Sequence, residues 1–88
     1  MKAVIMGISK VDYTKKDNKE VHGSSVYIVR DPNGRETTAR GQVCEGIWVA
    51  DTSLLAPKLA KLALGMEHEF VYETDGRYSW LADIIPMG

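Results

Sequence analysis

The 88-residue chain is long enough for one domain with a thin core, since a chain of this size buries only about 60% of its unfolded surface. Its 44% hydrophobic and 26% charged content is that of a globular protein, not a disordered one. The formal charge of −1 counts against generic nucleic-acid binding, which excess positive charge usually drives.

The charge is unevenly distributed. Residues 10–40 carry seven basic against five acidic side chains, and residues 45–88 carry three against seven. One cysteine, Cys44, has no internal disulfide partner, which points to a reducing compartment and a cytoplasmic protein. No apolar run approaches the ~18 residues of a membrane span, and the run at Ala3–Met6 is too short for a secretory core.

The apolar residues of 2–13 predict a long strand bent at Gly7. A polar loop follows over 14–20, with Asp17-Asn18 supplying turn chemistry. Residues 21–31 predict the second strand, rich in β-branched and aromatic side chains at Val26, Tyr27, Ile28 and Val29. Asp31-Pro32-Asn33-Gly34-Arg35 then predicts a tight hairpin, because Asn and Gly both tolerate positive φ. The third strand is expected over about 37–50, with Gly41 and Gly46 as bends or bulges.

Asp51-Thr52-Ser53 can cap a helix of about two turns carrying Leu55, Leu59, Leu62 and Ala63, with Pro57 in its first turn and Gly65 as its stop. Residues 67–73 alternate, with Glu67, Glu69 and Glu73 toward water and His68, Phe70 and Tyr72 inward. An Asp75-Gly76 turn leads to a last strand over 78–85, ended by Pro86, which sets Tyr78 and Trp80 on one face. Three strands, a short helix and two more strands is the element order of a small five-stranded OB-like, Greek-key barrel over residues 1–88 as a single domain.

Chemistry-bearing residues are sparse. Cys44 sits in an apolar strand and reads as a small hydrophobe. His68 reads as a core or interface residue. No metal-ligand spacing or phosphate-cradling glycine loop is present, so no catalytic residue, metal or cofactor is expected, and the chain is not expected to be an enzyme. Single-strand binders combine basic grooves with rings on which bases stack. Candidates here are the rings Tyr13, Tyr27, Trp48 and Tyr78 and the cations Lys15, Lys16, Lys19, Arg30, Arg35 and Arg40. The competing reading makes Phe70, Tyr72, Trp80 and Trp48 core or dimer contacts and the lysines merely solvated.

The run Val11-Asp12-Tyr13-Thr14-Lys15-Lys16, then Val21-His22-Gly23, Ile47-Trp48-Val49, Asp75-Gly76-Arg77-Tyr78 and Ala82-Asp83-Ile84-Ile85-Pro86, resembles small phage and plasmid single-stranded-DNA-binding proteins of the gene V-like OB type. That resemblance implies a homodimer that coats single strands during replication. It nominates Tyr13, Lys15, Lys16, Lys19, Tyr27, Arg30 and Tyr78 as DNA contacts. The expected function is therefore sequence-nonspecific binding of single-stranded DNA, with RNA as the alternative strand and no small-molecule substrate. The alternative is a small protein-interaction module whose strand edges pair with a partner.

Overall fold

The computed structural model describes residues 1–87 and contains five strands and one helical turn. These are β1 (Lys2–Thr14), β2 (Glu20–Arg30), β3 (Val43–Ala50), α1 (Ala56–Leu59), β4 (Glu67–Asp75) and β5 (Tyr78–Pro86). All pair antiparallel in one sheet of order β3-β2-β1-β4-β5. The mainly β class and the strand-strand-strand-helix-strand-strand order agree with the expectation. The ladder leaves β3 and β5 as its two edges, unpaired with each other.

The bend in β1 follows from its apolar spacing. Ala3 and Ile5 point into the core at a period of two, but the next inward residue is Ile8, three positions on. One extra residue must be absorbed, and the pairing with β2 slips between Ile5 and Gly7, leaving Met6 bulged. A second bulge lies between Val71 and Tyr72, where Ala82 of β5 has no opposite number.

A single core cluster draws on every element: Ala3 and Ile5, Val26 and Ile28, Val49, Leu55 and Leu59, Phe70, and Ile84. Each Val, Leu, Ile or Phe side chain among them contributes roughly 1.5–3 kcal/mol when fully buried. That burial holds α1 in place, because one turn has no stability of its own.

Several local expectations are corrected. The helix is one turn, not two, and Ser53 Oγ accepts the Leu55 amide just ahead of it. The tight Asn33-Gly34 hairpin does not form. Neither residue takes positive φ, β2 ends at Arg30, and β3 starts only at Val43 instead of near residue 37. Glu36 folds back to clasp Arg30, and its amide bonds to the Asn33 carbonyl, so side-chain pairing overrides the turn preference. In the β4–β5 turn the two linking residues are Gly76 and Arg77, with Gly76 at φ +59, one place later than the Asp-Gly reading.

Tyr72 shares the inward side of β4 with Phe70 but is half exposed, because β1 ends at Met1, opposite Phe70. Burial, then the nearby Glu45 carboxylate, raises its hydroxyl pKa. Cys44 is exposed on β3, not packed as a small hydrophobe. His68 is buried as expected, and its Nδ1 lies 2.9 Å from the Met66 carbonyl, which requires the proton on that nitrogen. Among the described residues no helix is long and apolar enough to cross a membrane.

Candidate nucleic-acid interface

Strand alternation divides the β1–β2–β3 portion into two faces. The core side carries Ile5, Ile8, Val26, Ile28, Ile47 and Val49, together with the charged residues Lys10, Asp12, Glu20, His22, Arg30 and Glu45. The outer side carries Val4, Gly7, Ser9, Val11 and Tyr13 of β1, Val21, Gly23, Ser25, Tyr27 and Val29 of β2, and Cys44, Gly46, Trp48 and Ala50 of β3. From Val4 to Tyr13 no residue of that outer side is charged, and the charges on it, Lys2 of β1 with Glu69 and Glu67 of β4, lie at the end away from the β1–β2 loop. The bulged Met6 beside it is 59% exposed.

Two rings lie across glycines on this face. A Cβ on Gly23 would come within 2.3 Å of the Trp48 indole, so the indole rests directly on the β2 backbone. The Tyr27 ring passes 3.6 Å from the corresponding point on its cross-strand partner Gly46. Each ring has one side on the sheet and is about half exposed, at 46% for Trp48 and 47% for Tyr27. A ring held flat by a glycine presents its free π-face to solvent, the geometry a stacking base requires. Tyr13 is likewise half exposed, paired with Val21 at the far end of the same face. From the Tyr27–Gly46 row to the Tyr13–Val21 row is six residues of strand, about 20 Å. A shallow cleft beside Tyr27 is walled by Met6, Val29, Cys44 and Gly46.

The row of rings leads to the β1–β2 loop. Lys15 and Lys19 close it through a backbone bond of 2.8 Å, Asn18 turns the chain at φ +65, and Asp17 accepts the Lys19 amide. Lys15, Lys16 and Lys19 are all exposed, and among the described residues none has a carboxylate within ion-pair distance. At the base of this hairpin His22 Nδ1 lies 2.7 Å from Asp12 and Nε2 lies 3.2 Å from Glu20. These bonds, that to Asp12 foremost, raise the imidazole pKa and hold Asp12 below the usual carboxylate range. Lys10 bridges Asp12 and Asp51, tying the hairpin to the end of β3.

The other nominated residues lie elsewhere. Arg30 is on the core side and only 11% exposed, forked onto Glu36 at 2.6 and 3.1 Å and also bonded to Glu45. Those carboxylates, Glu36 first, push its pKa further up and consume its charge. Arg35 and Arg40 are exposed on the β2–β3 connection, at the end of β2 opposite the lysine loop. Tyr78, 78% exposed, sits on the β4–β5 arm beyond the start of β1. The structure thus brings together Tyr13, Lys15, Lys16, Lys19, Tyr27 and Trp48, and separates them from Arg30, Arg35, Arg40 and Tyr78.

The parts that sequence reading missed are Gly23, Gly46 and Met6. Glycine inside a strand signals close approach of another group as well as bulges, and Gly46 carried that signal. Among the described residues no group of three or more His, Cys, Asp or Glu side chains is placed to hold a metal ion. The chain matches no family model, no curated protein and no solved structure.

Proposed function

We propose that this chain is an OB-like barrel that binds single-stranded DNA without strong sequence preference, as a cytoplasmic replication accessory of the phage or plasmid type. The observation that carries the reading is Trp48 lying flat on Gly23, with Tyr27 and Tyr13 on the same uncharged face and three unpaired lysines at its end. Bases stack on the rings, and the phosphates reach Lys15, Lys16 and Lys19. In OB folds the β2–β3 face and the loop between the first two strands are the usual oligonucleotide surface. A barrel-like curl is supported by the core, which joins Val49 of one edge strand to Ile84 of the other. It is supported also by Tyr72 of β4, which feels the charges of Glu45, three strands away, and Arg30, two strands away.

The test is a titration of fluorescently labelled oligo-dT at several salt concentrations. Wild type binds saturably and more weakly as salt rises. The Lys15→Ala/Lys16→Ala/Lys19→Ala variant loses about 2 units of slope in log K against log salt, at about 0.7 per phosphate contact on a single strand. Absence of binding even at low salt refutes the reading, and the uncharged face is then a protein-docking surface. An unchanged slope in the triple variant removes the loop from the interface.

A further inference from the structure

The β4–β5 hairpin runs past the end of the sheet, because β1 reaches only to Met1, opposite Phe70. Every residue from Tyr72 to Trp80 is exposed. The cross-strand pairs Glu73–Trp80 and Asp75–Tyr78 put those four side chains on one face, opposite Tyr72 and Leu81. Tyr78 is 78% and Trp80 45% exposed. Among the described residues no cation lies within ion-pair distance of Glu73 or Asp75, whereas Glu69 and Asp83 are held by the N-terminal amine and Lys58.

The outer edge of β5 has no strand partner. In a hairpin closed by two residues the flanking pair, Asp75–Tyr78, exchanges hydrogen bonds, and bonded and non-bonded pairs alternate from there. Ser79 and Leu81 therefore turn their amides and carbonyls outward. Farther along β5 the Ile84 amide donates to the Asp83 carboxylate, so the open stretch of edge is the one beside the rings. Exposed rings on an open edge are a feature that proteins cover or blunt, and an extended backbone is what satisfies such an edge. Charge decides which backbone. Arg77 is the only Lys or Arg of residues 67–87, against Glu67, Glu69, Glu73, Asp75 and Asp83. That balance repels a polyanion, and it repels a second copy set edge to edge, which would bring two acidic arms together. An ammonium or guanidinium group fits, since it is attracted both to the faces of Tyr78 and Trp80 and to the two free carboxylates.

We propose that the β5 edge binds an extended Lys- or Arg-rich segment of a partner protein as a sixth strand. The backbone of that segment pairs with Ser79 and Leu81. Every second side chain lies on the face of Tyr78 and Trp80, where its cations meet the rings and reach Glu73 and Asp75. The open stretch from Tyr78 to Ala82 is about 17 Å long at the rise of a strand, which sets the length of segment it accepts. The arm is a separate surface from the face of Tyr27 and Trp48, so this binding stands whether or not the chain binds DNA.

The test is fluorescence anisotropy of a labelled peptide of alternating lysine and threonine against the full chain, at low salt and without nucleic acid. Wild type should bind it saturably and ignore the same peptide with glutamate in place of lysine. Glu73→Gln/Asp75→Gln and Tyr78→Ser/Trp80→Ser should each weaken binding at least tenfold. All four positions are exposed, so circular dichroism should match wild type. Should the aromatic double variant fail to fold, Tyr78→Ser alone carries the test. N-methylated peptides separate strand pairing from plain charge attraction. With the lysines over the rings, the threonine amides face β5 and the lysine amides face solvent. Methylation of the threonine amides should therefore cost at least tenfold and methylation of the lysine amides little. No binding by wild type, equal binding of the glutamate peptide, undiminished binding in the arm variants, or equal affinity of the two methylated peptides overturns the proposal. A wild type that binds no peptide and sediments at twice the chain mass would give the edge to a second copy instead.

Discussion

Gly23→Ala is the sharpest probe of the stacking face, because it acts on Trp48 without touching it chemically. The new methyl would lie 2.3 Å from Cζ2 and 2.7 Å from Cη2 of the indole. Carbon atoms rest at about 3.5 Å or more, so the ring must withdraw by roughly 1.2 Å or swing off the sheet. The atoms approached are at the far edge of a half-exposed side chain, so the fold accommodates the change. Alanine in a strand gains about 0.5–1 kcal/mol over glycine, which offsets the lost ring contact and keeps stability within about 1 kcal/mol of wild type. Binding loses one ordered platform. Stacking is worth about 1–3 kcal/mol per base, and each 1.4 kcal/mol is tenfold, so Kd for oligo-dT rises roughly five- to hundredfold. Gly46→Ala, whose methyl meets Tyr27 at an ordinary 3.6 Å, should cost much less. Gly7→Ala, with nothing within 4 Å, should cost nothing. The assay is fluorescence anisotropy of labelled oligo-dT at fixed salt, with Trp48→Leu alongside. Wild-type affinity in both Gly23→Ala and Trp48→Leu would refute the platform.

Two further outcomes separate structural from binding charges. Arg30→Gln should lower the urea midpoint, because Glu36 and Glu45 lose their shared partner, and leave the salt slope of oligo-dT binding unchanged; a reduced slope would put Arg30 at the phosphates. His22 should make stability depend on pH. Its folded pKa lies above the unfolded value of about 6.5. The stabilisation is therefore complete below that value and is lost as pH rises through the higher folded one. Urea midpoints measured upward from pH 6 should fall in wild type and flatten in His22→Gln, and parallel curves would remove the Asp12–His22–Glu20 group from the account.

How far these features were legible depends on the range of the interaction behind them. Alternation is local, so β1, β2, β4 and β5 could be read within one or two residues, and the kink near Gly7 followed from the spacing of Ile5 and Ile8. The Asn33-Gly34 turn was misread because a more distant pairing, Arg30 with Glu36, wins over the local preference. Tyr72 sits on the side that alternation assigned, and its exposure follows from where β1 ends, which pattern cannot show. In the site, the lysine loop and the rings were visible as residue types. Whether an arginine is free or clasped is set by folding, and so Arg30 and the lysines looked alike.

The mild acidity of the chain bears differently on binding once strand parity is known. Averaged over the molecule, a net charge of −1 opposes a polyanion. The period-two alternation that buries Ile5, Val26 and Ile28 also sends Asp12, Glu20 and Glu45 to the core side, where they are hydrogen-bonded or ion-paired to Lys10, His22 and Arg30. Of the remaining acids, Glu67, Glu69, Glu73, Asp75 and Asp83 lie on β4 and β5, Asp31, Glu36 and Asp51 on the β2–β3 connection and after β3, and Asp17 alone in the lysine loop, where it accepts the Lys19 amide. A strand lying over Tyr27 and Trp48 toward the lysine loop meets no carboxylate on the sheet face itself. Beyond a screening length of about 8 Å at physiological salt, the distant acids exert little force on it. The field that matters is that of Lys15, Lys16 and Lys19 at the end of an uncharged aromatic surface, and the net charge is a poor proxy for it. Placing one carboxylate on that face tests this directly. Ser25→Asp, between Tyr27 and Gly23, changes the net charge by one, as does the exposed Thr74→Asp on the arm. The first should weaken oligo-dT binding at low salt severalfold and the second negligibly. Equal losses from the two would mean that overall charge, not its placement, governs binding.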